Sequence, residues 1–252
     1  MYSIGKFLVP ANFPIVSEFI LYARGRGIAT IEAVWGTLNT FQTNILAYQN
    51  WCARRAHAID RVNLENEPYR FKAPGSDAVD WVTEDAWRKT VYATCKSFDT
   101  KVIRWRMDCT KYHGWNQSSS YGGAQWTAAQ ICDSIVSTTD DLLLHCYTPL
   151  PRFAQVVGRL RDFDAALVRA GKKDYKIGII LSAESTSFKE KSGKACANEF
   201  SGTYLKTHTI TEWYTDFVNQ MKTYLATNPG FTNLIVVSVQ DFDVWWHKQA
   251  RP

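Results

Sequence analysis

The sequence has no run approaching eighteen consecutive apolar residues, so no segment reads as a membrane span and no membrane partner is expected. It has no G-x-G-x-x-G and no G-x-x-x-x-G-K-[ST], which removes the usual glycine loops for nucleotide phosphates. H-E-x-x-H and G-x-S-x-G are also missing, and with them the simplest signatures of zinc peptidases and serine hydrolases. The cysteines, Cys52, Cys95, Cys109, Cys132, Cys146 and Cys196, contain no C-x-x-C pair and no zinc-like spacing. They read as small buried hydrophobes, with up to three disulfides open to a secreted protein. Concentrated positive charge is lacking too. Twenty-nine Lys+Arg against twenty-four Asp+Glu give +5, densest at Lys172-Lys173 and between Lys189 and Lys194, without the stripe that grips nucleic acid. Met1-Tyr2-Ser3-Ile4-Gly5-Lys6 has no basic stretch leading into an apolar one, so no signal peptide is expected and the compartment stays open. No cofactor and no metal are expected.

What the chain does have is a hydrophobic fraction of 46% and ten tryptophans in 252 residues, enough for a substantial core and incompatible with a disordered chain. Apolar runs of strand length lie at Ile4–Val9, Ile28–Val34, Ile59–Leu64, Val102–Trp105, Leu142–Tyr147, Ile177–Leu181 and Leu234–Val239. Between them the period is helical. Leu38, Phe41, Ile45, Tyr48 and Cys52 step by three and four, as do Phe153, Val156, Leu160, Phe163 and Leu167, and the shorter set Tyr214, Phe217, Met221 and Tyr224. Pro14 suits a helix start, and Gly25, Gly27 and Gly171 suit helix ends. Trp51, Trp81, Trp87, Trp126 and Trp213 fall in helical stretches and are expected in the core. No composition break divides the chain, so residues 1–252 read as one α/β domain with a parallel sheet and helical crossovers.

Polar and aromatic residues gather just after the apolar runs. They include Trp35, Asn66-Glu67, His145 and Tyr147, Glu184, and Trp245-Trp246. One mouth fed by many strands is the habit of a (β/α)8 barrel, so that architecture is expected over a doubly wound sheet. Val62 and Leu64 should face the helices, and Asn63 and Glu65 the barrel interior, with Glu67 at the rim and Pro68 stopping the ladder. The run Ile177–Leu181 leads to a second carboxylate, Glu184. Two glutamates at strand ends are what glycoside hydrolysis requires, one as acid and then base, the other as nucleophile or as base for a water.

With Asn66-Glu67-Pro68 after one strand and Glu184 after the third strand beyond it, the chain resembles the clan A superfamily of (β/α)8 glycoside hydrolases. Asn-Glu-Pro ends the fourth strand there, and the nucleophilic glutamate ends the seventh. The resemblance spans about residues 28 to 246. It implies that Glu67 is the general acid/base, Glu184 the nucleophile, and that cleavage of an oligo- or polysaccharide retains configuration. It also implies that Asn66 binds a sugar hydroxyl, that Tyr147 holds Glu184, and that His145, Trp35, Trp245 and Trp246 line the substrate site. Trp115, in the Gly- and Ser-rich loop after the fifth strand, is a candidate for stacking on sugar.

Only two strands, starting at about residues 4 and 28, precede the strand that ends in Asn66-Glu67-Pro68, where the family has three, and seven strands are recognisable in all. An incomplete barrel is therefore expected, with edges that a second copy or another partner must cover. The arginine that the family often carries after strand two has no clear counterpart. These departures keep alive a catalytically silent barrel that binds carbohydrate or serves a structural role. A basic polyanion binder is the third reading. Each residue also has a plainer explanation: Glu67 and Glu184 as solvated rim acids, His145 and Tyr147 as packed strand residues, and one of the adjacent Trp245 and Trp246 as core.

Overall fold

A computed structural model of the chain describes residues 8–35, 41–52, 55–64, 80–97, 102–108, 119–121, 124–145, 153–182, 210–227 and 234–240. These residues divide into two compact units.

The first unit opens with a 3-10 turn, Pro10–Asn12, that runs into helix α1, Phe13–Gly25. Pro14 sits in the first turn of α1, where its fixed φ suits a helix and its missing N–H costs nothing. The helix buries Phe13, Val16, Ser17 and Ile20 along one side. It ends on Gly27 at φ +86°, with Gly27 N–H donating to Arg24 O and Ile28 N–H reaching back to Ala23 O at 3.0 Å. That closure takes up Ile28, so strand β1 begins later than the apolar run, at Glu32–Trp35.

A π-helical turn, Phe41–Leu46, then leads into helix α2, Ala47–Trp51. Of the expected stripe, Ile45, Tyr48 and Cys52 are buried. The Phe13 ring meets Tyr48 edge-on at 5.3 Å, which fastens α2 to α1. Gln49 bonds Ile59 twice, taking its N–H and giving to its C=O, both at 3.0 Å, and so aligns the entry to strand β2, Arg61–Leu64. Strand β2 runs parallel to β1, from Glu32 against Arg61 to Trp35 against Leu64. Strand β3, Val102–Asp108, adds a parallel ladder on the other side of β2, with Leu64 opposite Trp105.

Helix α3, Trp81–Ser97, is capped by Asp80, whose carboxylate accepts the Thr83 N–H at 3.0 Å. Two short strands follow, β4 at Ser119–Tyr121 and β5 at Ala124–Trp126. Helix α4, Ala128–Ser137, starts from a capping box: Gln130 N–H donates to Thr127 Oγ1, and Thr127 N–H to Gln130 Oε1.

The second unit contains most of strand β6, Asp141–His145, followed by helix α5, Phe153–Ala170. Leu160, Phe163 and Leu167 of α5 are buried, as their spacing predicts. Gly171 closes the helix at φ +65°, with Lys172 N–H donating to Leu167 O. Strand β7, Lys176–Ser182, pairs in parallel with β8, Leu234–Gln240, through a register shift at Ile177/Gly178. Between them in the chain lies helix α6, Ile210–Thr227, which buries Met221.

The expected (β/α)8 barrel is not formed. The described residues make short parallel ladders, and more of them are helical than extended. Six of the seven apolar runs do carry a strand. The run Ile4–Val9 lies partly outside the described residues, and its end, Leu8–Val9, leads into the 3-10 turn instead of a strand. Alternating strands and helices are common to every parallel α/β protein, and polar residues at carboxyl ends occur in open sheets as well as barrels, so neither pattern forces closure. Strand β2 is buried on both of its expected faces. Val62, Asn63 and Leu64 are each 0% exposed, the mark of a strand covered on both sides.

Trp81 and Trp87 are in the core, whereas Trp51 is 49% exposed, tilted against Phe13 and Tyr48 at the end of the short α2. Trp126 lies in strand β5 rather than a helix.

Candidate functional site

The described part of the first unit places one edge of the expected site. Trp35 is the last residue of β1 and pairs with Leu64, the last of β2, so both strands end level and point the same way. Asn66 and Glu67 follow Leu64 by two and three residues. In the second unit Ser182 of β7 pairs with Gln240 of β8, again level at the carboxyl ends. Glu184 follows Ser182 by two residues, and Trp245-Trp246 follow Gln240 by five and six. His145 is the last residue of β6. Glu67, Asn66, Glu184, Tyr147, Trp115, Trp245 and Trp246 themselves lie outside the described residues. Trp35 and His145 are placed by backbone alone.

Beneath the end of β2 the chemistry is polar. Asn63, fully buried, donates from Nδ2 to Glu32 Oε1 at 2.8 Å, diagonally across the β1–β2 ladder. The reading of the sequence placed Asn63 in an interior but missed Glu32, which sits inside an otherwise apolar run. Its signal was that position: a carboxylate within a mostly apolar strand run needs a donor. Arg61, at the other end of β2, is 3.5 Å from the buried carboxylate of Asp141.

The strongest charge cluster is elsewhere. On α3, Glu84 and Arg88 are both 0% exposed and bonded to each other, with Asp85 beside them and Ser134 of α4 and Thr138, just past the end of α4, completing the shell. Burial drives the Glu84 carboxyl pKa upward, against the pull of Arg88. Full enclosure keeps substrate from reaching this cluster, so its chemistry is structural.

A groove of about 490 Å³ runs along α6, lined by Asp216, Asn219, Gln220, Thr223 and Tyr224. Arg161 of α5 borders it, donating from Nε to Tyr224 Oη at 3.2 Å. Among the described residues it offers a single carboxylate, Asp216, one fewer than glycoside hydrolysis by two carboxylates needs. Among the described residues no three His, Cys, Asp or Glu side chains are gathered as metal ligands, and no helix is long and apolar enough to cross a membrane.

No protein-family model matches the chain, and no curated protein matches it.

Proposed function

We propose that the chain is a retaining glycoside hydrolase acting on an oligo- or polysaccharide, with Glu67 as general acid/base and Glu184 as nucleophile. One observation supports the reading above the others. Asn66-Glu67 and Glu184 come two or three residues after strands that pair in parallel, β2 with β1 and β7 with β8, and the carboxyl ends of parallel strands are where α/β proteins bind ligands. In the first step Glu67 gives its proton to the glycosidic oxygen as the bond to the anomeric carbon breaks, and a Glu184 oxygen bonds that carbon. In the second, water gives a proton to Glu67 and attacks the same carbon, releasing Glu184. Asn66 binds a sugar hydroxyl, Tyr147 holds Glu184, and Trp35, Trp115, His145, Trp245 and Trp246 border the substrate.

The test is a panel of aryl glycosides with wild type, Glu67→Gln and Glu184→Gln. Turnover in the wild type, reduced by about 100-fold or more in each variant, is expected. Turnover unchanged in Glu184→Gln would remove that residue from the mechanism. A second reading, a carbohydrate-binding or structural protein without turnover, is favoured by one finding: the described strands form no barrel. Glycan binding with no hydrolysis of any aryl glycoside would select it.

A further inference from the structure

Helix α1 is apolar on two opposite faces, and among the described residues only one of them is covered. Phe13, Val16 and Ile20 are 3%, 7% and 0% exposed, whereas Ile15, Phe19 and Tyr22 are 66%, 59% and 62% exposed. At 100° per residue the steps of four and three put Ile15, Phe19 and Tyr22 in one stripe, turned roughly 145° away from the buried face. A helix that is hydrophobic all round is ordinarily enclosed on all sides. Here the outer side carries two large side chains and a half-polar tyrosine in contact with water, well beyond the scattered single exposures of an ordinary surface.

The charges along that stripe indicate what covers it. Glu18, Tyr22 and Arg26 lie at i, i+4 and i+8, a single ridge with an acid at one end, an aromatic in the middle and a base at the other. Glu18 and Arg26 are exposed, and the Arg26 guanidinium folds over the Tyr22 ring at 5.2 Å, which keeps it on the stripe. Neither side chain is engaged in an ion pair among the described residues. Such a ridge complements its own reverse. Under a two-fold axis passing beside Tyr22, a second α1 lies antiparallel, and its Arg26 comes alongside Glu18 while its Glu18 comes alongside Arg26. Packing of i±4 ridges at a crossing angle of about 50° lays these two rows side by side and sets Phe19 and Ile15 in the neighbouring groove.

We infer that the outer face of α1 is a self-complementary interface through which two copies of this chain form an isologous dimer, closed by Phe19 and Tyr22 and put in register by Glu18 and Arg26. The inference is independent of the glycosidase reading. One short helix is a small interface, so the dimer is weak, with a Kd on the order of 10 μM.

The test is sedimentation equilibrium of the full chain from about 1 to about 200 μM, a range that brackets this affinity. Wild type is expected to dimerise, and Phe19→Glu to raise Kd by about 30-fold or more, because each substitution acts twice in a symmetric pair. Glu18→Arg and Arg26→Glu should each weaken the dimer by about 5-fold, and the double variant should recover to within about 3-fold of wild type. All three positions are solvent-exposed, and circular dichroism checks that each variant is folded. A wild type that stays monomeric throughout overturns the inference, as does a dimer indifferent to Phe19→Glu. A monomeric protein that binds phosphatidylcholine/phosphatidylserine vesicles through Phe19 also overturns it and assigns the face to a lipid surface.

Discussion

Arg88 and Glu84 meet one helical turn apart on α3, both fully enclosed, through two parallel bonds, Nε to Oε1 at 2.7 Å and Nη2 to Oε2 at 2.9 Å. The guanidinium has donors left over, and they reach α4 and the turn after it: Nη1 gives to Ser134 O at 2.9 Å and to Thr138 Oγ1, and Nη2 to Ser134 Oγ at 2.7 Å. Ser134 Oγ in turn donates to Asp85. One arginine thus neutralises a buried acid and holds the carboxyl-terminal end of α4 against α3.

Arg88→Met should be strongly destabilising, because it strands Glu84 in the interior and leaves the Ser134 carbonyl without this donor. Breaking a buried pair from one side costs about 3–5 kcal/mol. For a chain of this size that is a fall in Tm of roughly 6–20 °C. The double variant Glu84→Leu/Arg88→Met removes both charges and should recover a large part of the loss. Thermal melts of the single and double variants check the prediction; equal losses in the two would show that hydrogen bonding to α4, not the stranded charge, dominates.

Arg24 performs a comparable task near the surface. From the last turn of α1 it donates to Ala29 O, Ala56 O and Ala58 O and pairs with both carboxylate oxygens of Asp60, at distances of 2.8–3.1 Å. Asp60 also accepts the Ile31 N–H at 2.7 Å, so the turn before β2 and the approach to β1 share one anchor. Arg24→Lys keeps the charge but loses the planar fork, and it should cost nearly as much as Arg24→Ala, about 2 kcal/mol in urea unfolding. A lysine variant as stable as wild type would reduce the anchor to simple charge attraction.

Where the strands and helices lie was legible in the sequence, because burial writes itself into periodicity. Ile45, Tyr48 and Cys52, and Leu160, Phe163 and Leu167, are buried as their spacing requires. Gly27 and Gly171 end helices in the left-handed conformation that glycine adopts without strain. The arrangement of the strands was not legible. Trp35 at the end of β1 and Ser182 at the end of β7 carry no mark that distinguishes a closed cylinder from short parallel ladders. The π-helical turn at Phe41–Leu46 was missed as well, since steps of three and four fit an α-helix equally. Of the candidate site, the strand ends that precede Glu67 and Glu184 fall where the runs predicted, while Glu32 went unnoticed because its partner Asn63 lies 31 residues away.

Gly171 offers a narrow test of helix closure. Its φ of +65° is costly for any residue with a Cβ, yet an added Cβ would meet nothing within 4 Å. The penalty for Gly171→Ala is therefore backbone strain alone, about 1 kcal/mol, and Gly171→Asn should cost less because asparagine tolerates this conformation. Urea midpoints for the two variants should fall in that order. A loss of several kcal/mol for alanine would require a steric clash that the open space around Gly171 does not provide.

The alkaline limb of stability should report Cys95. Burial pushes its thiol pKa up to about 12, with Lys96 lowering it and Asp140 raising it to smaller extents. Tyr92, which donates to Asp140 at 3.2 Å, is likewise pushed up to about 12, mainly by burial. Both folded values lie above the unfolded ones, so above pH 9 the unfolded chain gives up protons that the native state keeps. The contribution of Cys95 is complete below about pH 9 and disappears as pH rises toward 12, at about 1.4 kcal/mol per pH unit. Cys95→Ala loses some packing at every pH but lacks this slope. The stability gap between wild type and Cys95→Ala should therefore shrink by about 2 kcal/mol between pH 8 and pH 10.5 in urea unfolding. The gap isolates the thiol because Tyr92 is present in both proteins. A gap that does not change with pH would mean that the Cys95 thiol ionises in the native state as readily as in the unfolded chain, contrary to its enclosure on the inner side of α3.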